Sequence, residues 1–291
     1  MMTDDKQQPY KKILVLGSSG QIGGHLIKRL RALDYEVIEF DIQNKRLEDL
    51  RFRNNFYLSK HMSNCDFVFF LAFDVGGSKY LNSNQNKYSF LKNNTDIISN
   101  TFESLKLHKK PFVFVSSQLA NNQDSSYGIQ KRLGEFYTYS LEGIVTRLWN
   151  VYGIEEDNNK SHVISDIIRK ALKYPYEVDL LTNGKEKRQF LHADDCSDAF
   201  IALMENYNQI DKAIDYHITS YEWTSIAEVA DLICNNIEDA IWRPGDKEDL
   251  VHTQNMYEPN KNISSIWKPK IDLQSGILQI INHYRNIKSN D

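Results

Sequence analysis

The sequence predicts an α/β protein, a doubly wound parallel sheet with a smaller lobe built mainly from the C-terminal half. Three observations predict it. From residue 11 to about 150, short and almost continuously apolar runs alternate with longer amphipathic stretches. The first run ends in a glycine-rich turn, "GSSGQIGG" at residues 17 to 24. After residue 150 the texture turns polar, in "GIEEDNNKSH", and the strict alternation is lost. Runs that are apolar on both faces belong to strands of a parallel sheet covered by helices on both sides.

The elements follow in order. "KILVLG" reads as a buried first strand, and "IGGHLIKRLRAL" as a helix with Ile22, Leu26, Leu30 and Leu33 on one face. "YEVIEFD" is the second strand and "CDFVFFLA", at 65 to 72, the third. A helix across roughly 93 to 108 leads to the strand "PFVFVSS" at 111 to 117, and a helix around 126 to 141 to the strand "GIVTRLWN" at 143 to 150. Beyond it, a helix over roughly 162 to 173 precedes "PYEVDLLTNGKEKRQFLHADD" and further helices. These bounds predict a mobile tail over 1–9 and a nucleotide-binding domain over 10–153 with a later crossing segment near 188–205. The remainder, 154–291, is predicted to form mainly a substrate-binding lobe.

With 291 residues, 41% of them hydrophobic, the chain supplies a sizeable core. A net charge of −4 and the absence of a long basic run give no reason to expect a nucleic acid or an anionic membrane as partner. Cys65, Cys196 and Cys234 are widely spaced and contain no C-x-x-C pair, so neither a disulfide framework nor a thiolate zinc site is expected. The histidines are scattered, and no metal site is expected from them. No apolar run approaches the roughly 18 residues of a membrane span, and the N-terminus is polar and acidic, so a cytoplasmic location is expected.

Gly17, Gly20 and Gly23 stand in a G-x-x-G-x-x-G spacing between strand and helix, and Asp41 ends the second strand. Strand, glycine turn, helix and an acidic residue about 20 positions on form the fingerprint of a Rossmann-like dinucleotide site. Gly17 permits the tight turn and Gly20 lets the backbone approach a pyrophosphate. The helix starting near Gln21 aims free N–H groups and its dipole at that anion. A carboxylate at Asp41 accepts hydrogen bonds from ribose hydroxyls and repels a 2′-phosphate, which favours NAD over NADP as cofactor.

"SSYGIQK" places Tyr127 and Lys131 four apart on a helix, hence on one face. An ammonium beside a phenol favours the phenolate, a base usable near neutral pH. Ser117, with Ser116 beside it, ends the preceding strand and can hydrogen-bond the same substrate hydroxyl. In a dinucleotide-binding chain these three compose a hydride-transfer site.

From about residue 11 to 285 the sequence resembles the extended short-chain dehydrogenase/reductase superfamily, specifically its NAD-dependent epimerase/dehydratase group acting on nucleotide sugars. The resemblance lies in "GSSGQIG", "DFVFFLA", "KNNT", "YGIQK", "TRLWNVYG", "RQFLHADD", "WRPGD" and "WKPKIDLQSGI". It implies Gln21 and Ile22 at the pyrophosphate, Asp41 at the adenosine ribose, and Asp49 and Leu50 near the adenine. It further implies Leu71, Ala72 and Phe73 along the cofactor cleft with Asn94 nearby, and Trp149 close to the nicotinamide. Asn150 falls on the substrate side, and Arg188 and Arg243 match arginines that grip a nucleotide diphosphate. As residues alone, these two arginines also read as ordinary surface arginines, His192 as a packed structural residue, and Asp194 or Asp195 as a helix cap.

The resemblance also implies a reaction. Oxidation at carbon 4 of the sugar is the step shared by most of the group. Enzymes that then eliminate water carry Asp-Glu after the position of Ser117, and 3,5-epimerases of GDP-sugars a cysteine two positions after it. Here Gln118 and Leu119 stand there, and neither transfers a proton. The expectation is a dehydrogenase yielding a 4-keto sugar nucleotide for surface polysaccharide or glycoconjugate synthesis, with a 4-epimerase as alternative and a non-catalytic NAD-binding module as the reading from another class. "AFDVGGSKYLNSN", at 72 to 84, resembles the loop of GDP-sugar enzymes, so GDP-hexose or GDP-heptose is preferred over UDP-sugars; as residues alone it is a flexible glycine turn. The connection from Ser117 to Tyr127 is shorter than is common in the group, which predicts more room beside the sugar. A homodimer through the helices near 93–108 and 126–141 is implied by the resemblance only.

Overall fold

The computed structural model describes residues 9–155, 157, 160–247 and 257–288, so residues 1–8 of the predicted mobile tail lie outside the described residues. A six-stranded sheet, entirely parallel, forms the frame in the order β2-β1-β3-β4-β5-β9. Its strands are β1 Lys12–Leu16, β2 Glu36–Phe40, β3 Phe67–Phe70, β4 Phe112–Ser117, β5 Ile144–Leu148 and β9 Asp215–Ile218. Side chains alternate across a strand, and here both faces are buried. Ile13, Val15, Phe67, Phe69, Val113 and Val115 meet α1 (Gln21–Ala32) and α7 (Ala193–Glu205). Leu14, Leu16, Val68, Phe70, Phe112 and Phe114 meet α2 (Phe56–Ser63) and α4 (Tyr88–His108). This two-sided burial explains the continuously apolar runs.

The strand order reverses at β1, with β2 on one side and β3 on the other, so the loops after β1 and β3 part at the carboxyl edge. Such a switch point is where open α/β sheets hold their ligands. Helix α5 (Ser126–Ser140) packs on β4 and brings its N-terminus to the same edge.

The chain leaves the main sheet at β6 (Asn150–Tyr152), which pairs with β8 (Lys187–His192), which in turn pairs with β10 (Trp223–Ser225). A two-stranded sheet joins β7 (Glu177–Asp179) to β11 (Ile241–Arg243). Helices α6 (Val163–Ala171), α8 (Ile226–Cys234) and α9 (Leu273–Lys288) surround a separate core of Tyr152, Ile164, Ile168, Val178, Phe190, Val229, Ile233, Ile277 and Ile280. The return to the frame runs further than the segment near 188–205, because β9 supplies the sixth strand of the main sheet.

Candidate active site

The glycines divide their work. Gly17 has φ +87°, a conformation that L side chains rarely adopt, and a Cβ there would lie 2.7 Å from the Ala72 nitrogen. A Cβ on Gly23 would lie 2.2 Å from the Gly17 carbonyl oxygen, so close packing of helix on turn demands glycine. At Gly20 the nearest atom would be 3.5 Å away, so contacts within the protein do not require glycine there. Gly20 is the N-cap of α1 and offers no side-chain cap to that helix. Gln21 has a buried Nε2 with no partner, which faces Gly153, and Ile22 packs against the core.

Asp41 follows β2. Its Oδ2 accepts from the Ser19 N–H at 3.1 Å and its Oδ1 from the Gln43 N–H at 2.9 Å, which holds the carboxylate beside the glycine turn. Asp49 and Leu50 are buried. Burial raises the Asp49 carboxyl, but the hydrogen bonds and charge of Arg51, with Nη2 at 2.7 Å, outweigh it and hold the group below the ordinary carboxylate value. On the other side of the switch point, the Leu71 and Ala72 N–H groups donate to the Leu16 carbonyl. Asn94 spends its amide on the backbone of Asp74: Oδ1 accepts from the Asp74 N–H at 2.7 Å, and Nδ2 donates to the Asp74 carbonyl at 3.1 Å. Asn94 therefore fixes the loop after Phe73.

Ser117, Tyr127 and Lys131 converge between β4 and α5. Ser117 lies close enough to act on the Tyr127 phenol while its Oγ accepts from the Leu119 N–H at 3.2 Å, whereas Ser116 turns away and donates to Glu135 at 2.6 Å; the serine facing the phenol is Ser117. The expected phenolate is not produced by the protein groups alone. Burial pushes the Tyr127 phenol above its ordinary value, and the Ser117 hydrogen bond opposes this. Lys131 does not reach the phenol: its Nζ donates to the Val115 carbonyl at 2.7 Å and lies 3.8 Å from the centre of the Phe73 ring. Burial lowers the Lys131 ammonium to about 7, against an upward pull from Glu135. Phe73 also meets Tyr127 edge-on, with ring centres 5.7 Å apart.

Gln118 and Leu119 lie in a 3-10 turn, Gln118–Asn121, that follows Ser117. A Cβ on Gly128 would fall 2.1 Å from the Leu119 carbonyl oxygen, so the short connection folds tightly onto the start of α5. Tyr257, from the C-terminal part of the chain, donates to the Gln118 carbonyl at 3.1 Å. The extra room expected from the short connection is thus met by a side chain from elsewhere.

On the substrate side, Trp149 is buried against Trp223 and Tyr257, with ring centres 5.6 and 5.2 Å away, and its Nε1 has no partner. Asn150 pairs in register with Phe190, and its buried Nδ2 is also unpartnered. Arg188, two residues before Phe190, shares that face of the small sheet and is buried. The structure therefore brings Asn150 and Arg188 to one face. Arg243 instead stands on the two-stranded sheet, exposed, with Nη2 3.0 Å from Glu177.

The cap of α7 is His192, whose Nδ1 accepts from the Asp194 N–H at 3.2 Å, and not either aspartate. Asp194 pairs with His25 at 2.5 Å. Asp195 accepts from the N–H groups of Lys270 and Ile271, both at 2.8 Å, because the segment before α9 needs buried acceptors. The glycine pair of the 72–84 loop is a close approach more than a flexible turn: the Gly77 N–H donates to the Lys160 carbonyl at 3.0 Å, and a Cβ there would lie 2.4 Å from the Ser161 carbonyl oxygen. Sequence reasoning missed Glu135, although it lies one further helical turn along the Tyr127–Lys131 face. It also missed Tyr257, for which no local signal exists.

A glycine turn with no steric demand for glycine at Gly20, a helix end without a side-chain cap and a carboxylate ending β2 suit a dinucleotide. A buried serine, tyrosine and lysine stand at the same edge of the sheet. The model of the NAD dependent epimerase/dehydratase family matches residues 13–219. The chain belongs to this family; it is an enzyme, and its cofactor is NAD. A GDP-L-colitose synthase of Yersinia pseudotuberculosis is 25% identical over 96% of this chain and 100% of its own. A putative UDP-glucose 4-epimerase of Methanocaldococcus jannaschii is 26% identical over 94% of this chain and 98% of its own. Among solved structures, a GDP-6-OMe-4-keto-L-xylo-heptose reductase from C. jejuni shares the fold with a TM-score of 0.77, at 21% identity over 95% of this chain and 98% of its own.

Proposed function

We propose that the enzyme oxidises carbon 4 of a nucleotide-activated sugar, with a GDP-hexose or GDP-heptose as substrate and a 4-keto sugar nucleotide as product. The observation that carries this reading is the convergence of Ser117, Tyr127 and Lys131 next to a turn, Gln118–Asn121, that holds no acid, base or thiol. Tyr127 exchanges the proton of the substrate hydroxyl, Ser117 orients that hydroxyl, and Lys131 supplies positive charge. Gly17, Gly20, Gln21, Ile22 and Gly23 hold the pyrophosphate, with Asp41 on the ribose and Asp49 and Leu50 on the adenine. Leu71, Ala72, Phe73, Asn94 and Trp149 shape the remaining cleft. Bound there, NAD supplies the two-electron acceptor. Asn150, Arg188 and Arg243 take the substrate. The similarity to the GDP-L-colitose synthase supports the guanine nucleotide. The 4-epimerase reading is favoured by the similarity to the putative UDP-glucose 4-epimerase.

The exposed side chains of Ile129, Leu133, Phe136 and Tyr137 on α5, with Leu107 on α4, support a homodimer through these helices. The free and buried Cys65, Cys196 and Cys234 fit a reducing cytoplasm.

The test is incubation of the full chain and NAD with GDP-mannose, GDP-manno-heptose and UDP-glucose, following NADH absorbance and product NMR. NADH with a 4-keto product from a GDP-sugar is the expected result. A new stereoisomer without net NADH identifies the epimerase, and absence of turnover with every sugar contradicts the reading.

A further inference from the structure

We propose that Glu135 is a positioning residue of the reaction centre, holding the end of β4 in register with α5 and sustaining the charge of Lys131. This rests on the reading of Ser117, Tyr127 and Lys131 as that centre. Three consecutive residues of β4 each meet one of three α5 residues spaced by four. The Val115 carbonyl accepts from Lys131 at 2.7 Å, the Ser116 hydroxyl donates to Glu135 at 2.6 Å, and Ser117 meets Tyr127. Positions four apart follow one helix face, so Tyr127, Lys131 and Glu135 form a ladder whose last rung fixes the other two.

Glu135 is suited to anchoring. Its carboxylate has no exposed surface and accepts from Arg147 Nε and Nη2 at 2.7 and 2.8 Å and from Arg132 Nη1 at 2.6 Å. Arg147, on β5, also pairs with Asp215 of β9 at 3.1 Å and donates to the Asn121 side chain at 3.0 Å. One carboxylate thus ties together the strand before Ser117, the turn after it and the helix carrying Tyr127 and Lys131. A buried ion pair held by this many hydrogen bonds stands in one geometry, and loss of a single partner leaves an uncompensated charge.

The charged and titratable groups facing Lys131 are few. Its own helix contributes Tyr127, Arg132 and Glu135, β5 contributes Arg147, and Asp215 and Tyr257 stand behind Arg147. The contacts from α4 are made by Leu91, Thr95 and Phe102, while β3 and β4 present the Phe73 loop, Phe114 and two serines, and the 3-10 turn presents Asn121. Glu135 is the negative charge one turn from the ammonium, and Arg132 and Arg147 oppose it.

The test is the titration of Lys131 in the full chain carrying 13C-labelled lysine, its signal identified by absence in Lys131→Met. Glu135→Gln is expected to lower the titration midpoint by about one pH unit, and Glu135→Asp to restore most of it. Arg132→Gln, which removes a half-exposed partner of Glu135, is expected to move the midpoint in the opposite direction. The alkaline limb of kcat/KM should follow each shift. Loss of stability with every midpoint unmoved means a packing role and overturns the proposal; if Glu135→Gln does not fold, an unmoved midpoint in both Glu135→Asp and Arg132→Gln has the same force. The titration needs no substrate, so shifted midpoints without turnover would keep the role of Glu135 and reject the reaction instead.

Discussion

Tyr127 and Lys131 share one face of α5 but meet opposite problems, because burial disfavours the anion of one and the cation of the other. Tyr127→Phe keeps the aromatic packing against Phe73 and removes the proton carrier, so kcat should fall about 10²–10⁴-fold while NAD affinity in a fluorescence titration stays within error. The Lys131 ammonium, lowered to about 7, is present below that pH and lost above it. A reaction that needs its charge therefore has a kcat/KM that declines as pH rises through that value, and a profile flat to pH 9 would show that Lys131 stays charged by other means. The glycines give a paired prediction. Gly23→Ala forces a Cβ onto the Gly17 carbonyl and should cost about 1–3 kcal/mol or more. Gly20→Ala makes only an ordinary contact with the Gly17 carbonyl, and should leave Tm nearly unchanged while weakening NAD binding. The spacing of these residues was legible in the sequence, since it depends on neighbours in the chain. The environment of Lys131 was not, because Phe73 and the Val115 carbonyl arrive from other elements.

At the scale of elements, legibility followed burial. Strands β1, β3, β4 and β5 are buried on both faces and stand out as apolar runs. Helix α2 buries only Leu58 and Met62, and α3 (Ser78–Asn84) buries none of its residues, so neither carries a hydrophobic period to read. Helix α5 shows the converse pattern. It buries Tyr127, Lys131 and Glu135 on its inner side and exposes Ile129, Leu133 and Phe136. Phe136→Glu should convert the proposed dimer to a monomer in light scattering without loss of NAD binding, and a monomeric parent protein would contradict the interface.

Across the whole molecule, single residues bind the two cores to each other. Asp195 accepts two backbone N–H groups of the segment before α9, and Gly77 abuts the backbone at Ser161. Asp195→Ala leaves those donors unpaired and should cost about 1–3 kcal/mol in thermal unfolding. Saturating NAD should raise stability by about 2.7 kcal/mol at a hundredfold excess over Kd. The division of the chain was legible as a change in texture near residue 150, but the return of β9 to the main sheet was not, because "DYHI" is short and carries no marker of its neighbour. In the proposed reaction the hydride leaves carbon 4 of the sugar. The most direct measurement uses GDP-hexoses and GDP-heptoses carrying deuterium at carbon 4, with NMR of the recovered cofactor. Deuterium on the nicotinamide ring beside a 4-keto product is the predicted result, and a product other than the 4-epimer that keeps its deuterium at carbon 4 would contradict it.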